Sequence, residues 1–293
     1  DRRVPSAGGR AGLGVGQGRA HHRHRTGKLP QINAQTKAVG AYGMRQQQNN
    51  RVLNGTGNVS HVLGGRGEIQ MKLEGGPYTG VASITGLKPD NPNWINQDNF
   101  ILLEERCGGS GDEGFYCVLD GHGQQGHLVS GYIRENLVRH YSECGQDVSR
   151  ACLRMQEDLD TTPTLDTKCS GATCVIAILR GRSLLVGNLG DSRCVLARRV
   201  NGVLSPVALS NDHKPDRPDE RQRILAAGGK VGCRQLVVGN GPSGPVRLPM
   251  GPMRIWYQVR GETMGLAMSR SLGDSIVHTQ GVSADPELKE HQV

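Results

Sequence analysis

Asp120-Gly121-His122-Gly123 sets a carboxylate and an imidazole side by side, with a glycine between and after them. The stretch around them, FYCVLDGHGQQG (115–126), opens as a short apolar run that reads as a buried strand. Glycine permits positive φ and close backbone approach, so the chain can fold tightly around something small. Asp120 would leave the strand end with its oxygens free, and Gly121 would offer an unshielded carbonyl beside them. Hard divalent cations such as magnesium or manganese take oxygen ligands of this kind. Two further aspartates in turn-like settings, Asp98 in NQDNF (96–100) and Asp191 in GDSR (190–193), suit the same task. The tetrapeptide also reads as a plain strand followed by a polar turn, because Asp-Gly is a strong turn signal. Gly-Asp-Ser at 190–192 has the same double reading.

The elements that must position these residues follow from hydrophobic period and turn chemistry. Strands are expected at 80–86, 99–104 and 115–119, with a Gly-rich turn at 107–114. After Gly126, Leu128, Val129, Ile133, Leu137 and Val138 recur at three- and four-residue steps, which predicts a helix. A second helix is expected over 147–158, then a loop to 168. Strands at 173–179 and 183–189 flank a short Arg-Gly-Arg turn and read as a hairpin. A third strand is expected from Asp191 and a fourth at 203–209, joined by Asn201-Gly202. Pro218 opens a helix to 227 with Asp219 and Glu220 in its first turn, and Gly228-Gly229 ends it. Residues 232–262 are rich in Gly and Pro without a clear period and read as a surface flap. Consecutive strands on short turns give antiparallel sheets, and the whole pattern is α+β.

Five motifs in this order, DGHG, SGATCVIAIL (170–179), LLVGNLGDSRCVLARR (184–199), DHKPDRPDERQRILAAGGKV (212–231) and GLAMSRSLGD (265–274), resemble the metal-dependent type 2C serine/threonine protein phosphatases. The resemblance runs from about Asn93 onward. It implies a four-layer αββα sandwich, two antiparallel sheets face to face with helices outside and a metal site at one end. It implies two Mg2+ or Mn2+ ions and phosphorylated protein substrates. Two such ions can bind phosphoryl oxygens and turn a bridging water into hydroxide near neutral pH. By resemblance Asp120 is the bridging carboxylate, Gly121 gives its carbonyl to one ion, and His122 is the general acid or, in the plainer reading, orders metal-bound water. Asp98 matches the early acidic motif, and Asp191 a third, weaker metal site with Thr173 nearby. Gln97 stands where other members have Glu, and Asn93 near where many carry a phosphate-binding Arg; Lys88 or Arg254 are candidate replacements. Asp212, His213, Lys214, Glu220 and Asp274 are read as structural.

The family pattern continues past Pro286 with further aspartate motifs that supply the remaining metal carboxylates. This sequence ends at Val293 without them, so the domain is expected to be incomplete at its C-terminus and the chain as given inactive, with a longer product active. The alternative is a catalytically inactive phosphatase-like protein that binds phosphoproteins or regulators.

Charge divides the chain. Residues 1–75 hold 12 Lys+Arg against 3 Asp+Glu, while the rest hold 23 against 24, so the formal net charge of +8 belongs to the tail. That tail is Gly-, Arg- and Gln-rich and is expected to be disordered, with residues 76–293 forming the phosphatase-like domain. Tyr42 is its single aromatic, which argues against a specific nucleic-acid platform. No apolar run approaches the ~18 residues of a membrane span. Eight cysteines without a CxxC pair suit a reduced compartment, cytoplasmic or nuclear. The family resemblance implies a monomer.

Overall fold

The computed structural model describes residues 81–86, 91, 93–107, 111–241 and 244–293. The tail at 1–75 and Lys88 lie outside the described residues.

The chain enters through β1 (Asn99–Cys107) and β2 (Gly111–Leu119), an antiparallel hairpin in unbroken register from Asn99 opposite Leu119 to Cys107 opposite Gly111. Both flanks of the expected Gly-rich turn are therefore strand. Residues 81–86, expected as strand, have no regular structure. Next come β3 (Gly121–His122), α1 (Gly126–Glu143) and α2 (Val148–Thr161). Asp147 caps α2, accepting from the Arg150 N–H at 3.0 Å. Then follow β4 (Gly171–Ala172), β5 (Cys174–Arg180), β6 (Ser183–Leu189), β7 (Val195–Val200) and β8 (Val203–Ala208). Asn201 and Gly202 both take positive φ (50° and 83°), the conformation a two-residue hairpin turn demands. Asp191 itself precedes β7 and lies in the connecting loop, not in strand as expected.

α3 (Pro218–Ala226) leads into β9 (Lys230–Gly241), β10 (Gly244–Val259) and β11 (Glu262–Leu266). The segment read as an aperiodic flap is thus a long β-ribbon. β12 (Leu272–Gly273), α4 (Ser275–His278) and β13 (Glu287–Gln292) complete the described elements. The main sheet has the order β1-β2-β5-β6-β13, antiparallel throughout; smaller sheets join β11-β10-β9, β12-β4-β3 and β7-β8. The expected α+β class with antiparallel sheets is what the chain adopts. None of the described helices is long and apolar enough to cross a membrane.

Packing follows the side-chain periods. α1 buries Val129, Ile133, Leu137 and Tyr141 at four-residue steps, and α2 buries Ala151, Cys152, Met155 and Leu159. The helices cover one face of the main sheet, where the Phe115 and Tyr141 rings lie 5.3 Å apart. Cys117 and Cys174 meet there, Sγ to Sγ at 3.6 Å, as small apolar fillers. Val175, Val186 and Leu209 cover the other face with help from Leu196 and Val207. A separate core of Ile224, Ile255, Tyr257, Leu266, Met268, Val277 and Val282 joins α3, α4 and the root of the ribbon.

His213 ties these layers to the loop before Asp191. Its Nδ1 accepts from the Gly190 N–H at 3.2 Å, and its own N–H donates to the Gly190 carbonyl at 2.9 Å. The ring is fully buried. Burial, then the nearby Arg270 and Arg217 cations, push its pKa down to about 4, against Glu220 and Glu287. A histidine with a depressed native pKa is protonated more readily in the unfolded chain, so its contribution is intact above about pH 6.5 and is lost as pH falls toward 4. The loss reaches up to about 3 kcal/mol. Urea unfolding between pH 7 and 4.5 is expected to show this slope, and His213→Asn, whose amide oxygen can still accept from Gly190, is expected to flatten it.

Candidate active site

Asp120 stands where β2 stops. Its N–H donates to Thr173 Oγ1 and its carbonyl accepts from the Thr173 N–H, both at 3.0 Å. Thr173, fully buried, shares a 2.6 Å hydrogen bond with Ser192 Oγ, beside Asp191. One threonine therefore fixes the backbone of Asp120 and links it to the Asp191 loop. Gly121 has no room for a side chain: a Cβ would sit 2.3 Å from the Gln97 carbonyl oxygen and 2.6 Å from that of Gly126. Gly123 has φ +84°, a region other residues adopt with strain. Gln97, buried, donates from Nε2 to the Gly123 carbonyl at 3.0 Å, while its own carbonyl accepts from Ser130 Oγ at 2.6 Å. Its amide clamps the turn from inside. A glutamate there could not donate that bond.

The three aspartates converge electrostatically. Burial, Asp98 and Asp191 together raise the Asp120 pKa, with His122 opposing. Of the three, Asp98 and Asp120 have no Lys or Arg ion pair among the described residues and form a donor set for a cation. Magnesium keeps several waters and is held by one or two carboxylates. Asp98 and Asp120 supply that number, so these residues fit one hard divalent ion. Among the described residues no group of three His, Cys, Asp or Glu side chains could hold a metal ion. Asp191 is already ion-paired with Lys214 Nζ, so at Asp191 an ammonium supplies the positive charge.

His122 Nε2 lies 2.6 Å from Asp274 Oδ2. Asp274 is 1% exposed, and the same oxygen accepts from Ser271 Oγ at 2.7 Å. Burial alone would depress the imidazole pKa; the Asp274 carboxylate and then Asp120 overcome this, and it is raised above the ordinary value. Asp274 takes φ +49°, uncommon for any residue with a side chain, in a turn it shares with Gly273 at φ +86°. Gly171 makes room for it: a Cβ there would lie 2.4 Å from Asp274 Oδ2. Backbone conformation, a neighbouring glycine and a hydroxyl all serve to aim this carboxylate at His122.

Asp98, Asp120, Gly121 and His122 thus share one end of the main sheet, with Asp191 within electrostatic reach. Asn93 is exposed, and Arg254 donates to the Gly265 carbonyl at 2.8 Å. Asp212 holds Arg193 through two bonds of 2.9 and 2.8 Å. Two partners escaped the sequence. Asp274 lies 152 residues from His122, and only the oddity of an aspartate after Gly273 hinted at a constrained turn. Lys214 reaches Asp191 across 23 residues.

A family model for Protein phosphatase 2C matches residues 95–293. The chain is 35% identical over 210 residues to a rice protein (Oryza sativa subsp. japonica) named Probable protein phosphatase 2C 64, covering 66% of this chain and 46% of that protein. It is 33% identical over 231 residues to an Arabidopsis thaliana protein named Probable protein phosphatase 2C 72, covering 73% and 64%. The chain thus spans about half to just under two thirds of the length of these relatives. The crystal structure of serine-threonine phosphatase 2C from Toxoplasma gondii superposes with a TM-score of 0.54 over 68% of this chain and 70% of that one; at 22% identity this is a likeness of fold. With the family model covering about two thirds of the sequence, and relatives agreeing with it, the chain belongs to the protein phosphatase 2C family.

Proposed function

We propose that the protein is a metal-dependent phosphatase acting on phosphoserine and phosphothreonine in proteins. The observation that carries this reading is the placing of Asp98 and Asp120 at one end of the main sheet beside an imidazole held by a buried carboxylate. Asp98 and Asp120 would hold the Mg2+ or Mn2+, with the Gly121 carbonyl beside them. The bound ion supplies Lewis-acid polarisation of the phosphoryl group and activation of water. His122, kept protonated by Asp274, stands ready to give its proton to the departing serine or threonine oxygen. Its Nε2 is engaged by Asp274, which leaves Nδ1 as the ring atom to deliver that proton. Thr173 and Gln97 keep the turn still, which matters because misplacement by about 1 Å can cost ~10²-fold in rate. Seven free cysteines among the described residues suit a reducing intracellular compartment.

A second reading, a phosphatase-like binding protein, draws on two observations: the lack of any three-residue metal group among the described residues, and the Lys214 pairing at Asp191. The protein expressed from its complete coding sequence distinguishes them. Phosphate release from a phosphothreonine peptide is expected to require Mn2+ and to disappear in Asp120→Asn. Protein that binds Mn2+ yet releases no phosphate would select the binding role.

Metal-free stability gives an independent check. Because the native fold raises the Asp120 pKa, its charge opposes folding at neutral pH, and that penalty vanishes as pH falls below the native value. Asp120→Asn should therefore melt higher than the parent without metal, and gain less than the parent when Mn2+ is added.

A further inference from the structure

β9 and β10 leave the domain as a two-stranded ribbon. β11 pairs with Ile255–Val259 at its root, and beyond that point, among the described residues, the strands have only each other. Directly opposed residues share a face. Arg234 faces Met250 across the ribbon, and Leu236 faces Leu248. Leu236, Leu248 and Met250 are 47%, 52% and 54% exposed. A ribbon of two strands has no core of its own to bury such residues in, and a contiguous exposed apolar face marks an interaction site.

The inner end of this ribbon opens into a cavity of about 540 Å3 lined by Arg234, Met250, Arg254, Trp256 and Thr263. Its wall is built. Gly265 lies beneath Arg254 and Trp256, and a Cβ there would come within 2.9 Å of both side chains. Trp256 Nε1 donates to the Gly232 carbonyl and Arg254 Nη1 to that of Gly265, each at 2.8 Å. Arg234 has no partner among the described residues. Residues 230–261 contain Lys230, Arg234, Arg247, Arg254 and Arg260, and no Asp or Glu.

The two edges of the ribbon differ. Pro245, Pro249 and Pro252 interrupt the donors along β10, as prolines do on protected edges. β9 carries no proline, and among the described residues it ends its sheet with a free edge. An extended segment can add to such an edge through backbone hydrogen bonds, while its side chains choose the site.

We infer that the β9 edge, the apolar ribbon face and the arginine–tryptophan cavity form a docking site for an extended, acidic and apolar segment of a protein partner. Naming that partner as the phosphoprotein substrate, held here apart from its phosphorylated residue, rests on the phosphatase reading; the docking itself does not. Charge selects this occupant. A second copy of the ribbon would bring five more cations and no anion, whereas acidic side chains complement Arg234 and Arg254 and apolar ones cover Leu236 and Leu248.

The test is fluorescence anisotropy with a labelled, unphosphorylated peptide of alternating Glu and Leu, as long as β9 (12 residues). The peptide is expected to bind, and to bind about tenfold less tightly when Lys replaces Glu or Ser replaces Leu. Arg234→Glu and Leu236→Ser, both exposed and folded by circular dichroism, should each weaken it by a similar factor. Absence of binding, equal binding of the Lys peptide, or indifference to both substitutions overturns the proposal. So does stronger capture by phosphatidylserine vesicles that the same substitutions abolish, which would make the ribbon a membrane contact. A dimer in sedimentation that Leu236→Ser dissolves also overturns it. Because the probe carries no phosphate, binding with no phosphatase activity would sink the catalytic reading alone.

Discussion

Asp274→Asn lowers kcat on a phosphothreonine peptide by about 10²-fold, in whichever form of the protein shows Mn2+-dependent turnover. The substitution is chosen to remove charge and little else. Asparagine tolerates the left-handed backbone that Asp274 adopts at φ +49°, and its amide oxygen can still accept from Ser271 Oγ and His122 Nε2. What disappears is the buried anion that offsets burial and keeps the imidazole protonated. The effect should fall on kcat far more than on KM, because Asp274 is buried and does not reach substrate. It should shrink with 4-nitrophenyl phosphate, whose leaving group departs without a proton. A purely structural aspartate would instead lower both substrates alike and reduce the melting temperature in step. If Asp274→Asn leaves the peptide rate unchanged, His122 does not act as the acid and serves to order metal-bound water.

The residues of the site were legible in the sequence where they are local, and illegible where they are brought together by the fold. Asp120, Gly121 and His122 are adjacent, and the glycines announced a tight turn; the structure adds that Gly121 is forced by the Gln97 carbonyl. α1, α2 and α3 were readable because each carries a clear helical period or end signal. β9 and β10 were not, since their apolar side chains face solvent and glycines and prolines break the alternation that a half-buried strand displays. β13 was missed for a related reason. It is a polar edge strand, paired with β6 from Glu287 opposite Asn188 to Gln292 opposite Ser183, and pairing rather than burial makes it a strand. Asp274 and Lys214 exert their effect through partners far along the chain, and no local pattern records such a pairing.

Glu220→Ala is expected to cost about 3–5 kcal/mol of stability, the largest loss of any single side chain considered. Glu220 lies in the first turn of α3 and is fully buried. Arg223 grips both of its oxygens at 2.7 Å, Arg270 binds Oε1 at 2.7 and 3.1 Å, and Ser269 Oγ donates to Oε2. Burial would raise the carboxyl pKa; the bonds from Arg223, Arg270 and Ser269 hold it well below the usual carboxylate range. Removing the carboxylate takes the shared anion from Arg270, 14% exposed, and from Arg223, and leaves two neighbouring cations with backbone carbonyls alone as acceptors. Glu220→Gln keeps the shape and acceptor capacity at one oxygen and should cost less, which separates charge from packing. The depressed pKa also sets a pH signature. Stability from Glu220 is fully present above its unfolded pKa near 4.5 and is lost as pH falls below it, so the alanine variant should show a shallower acid limb than the parent. Because Arg270 belongs to the loop that carries Asp274, and Arg223 donates to the Ser269 carbonyl beside it, the Glu220 network also braces the carboxylate that holds His122. Under conditions where Glu220→Gln remains folded, its peptide turnover should therefore fall in the same manner as that of Asp274→Asn, though by less; turnover equal to the parent's would show that the Asp274 turn holds its geometry without this support.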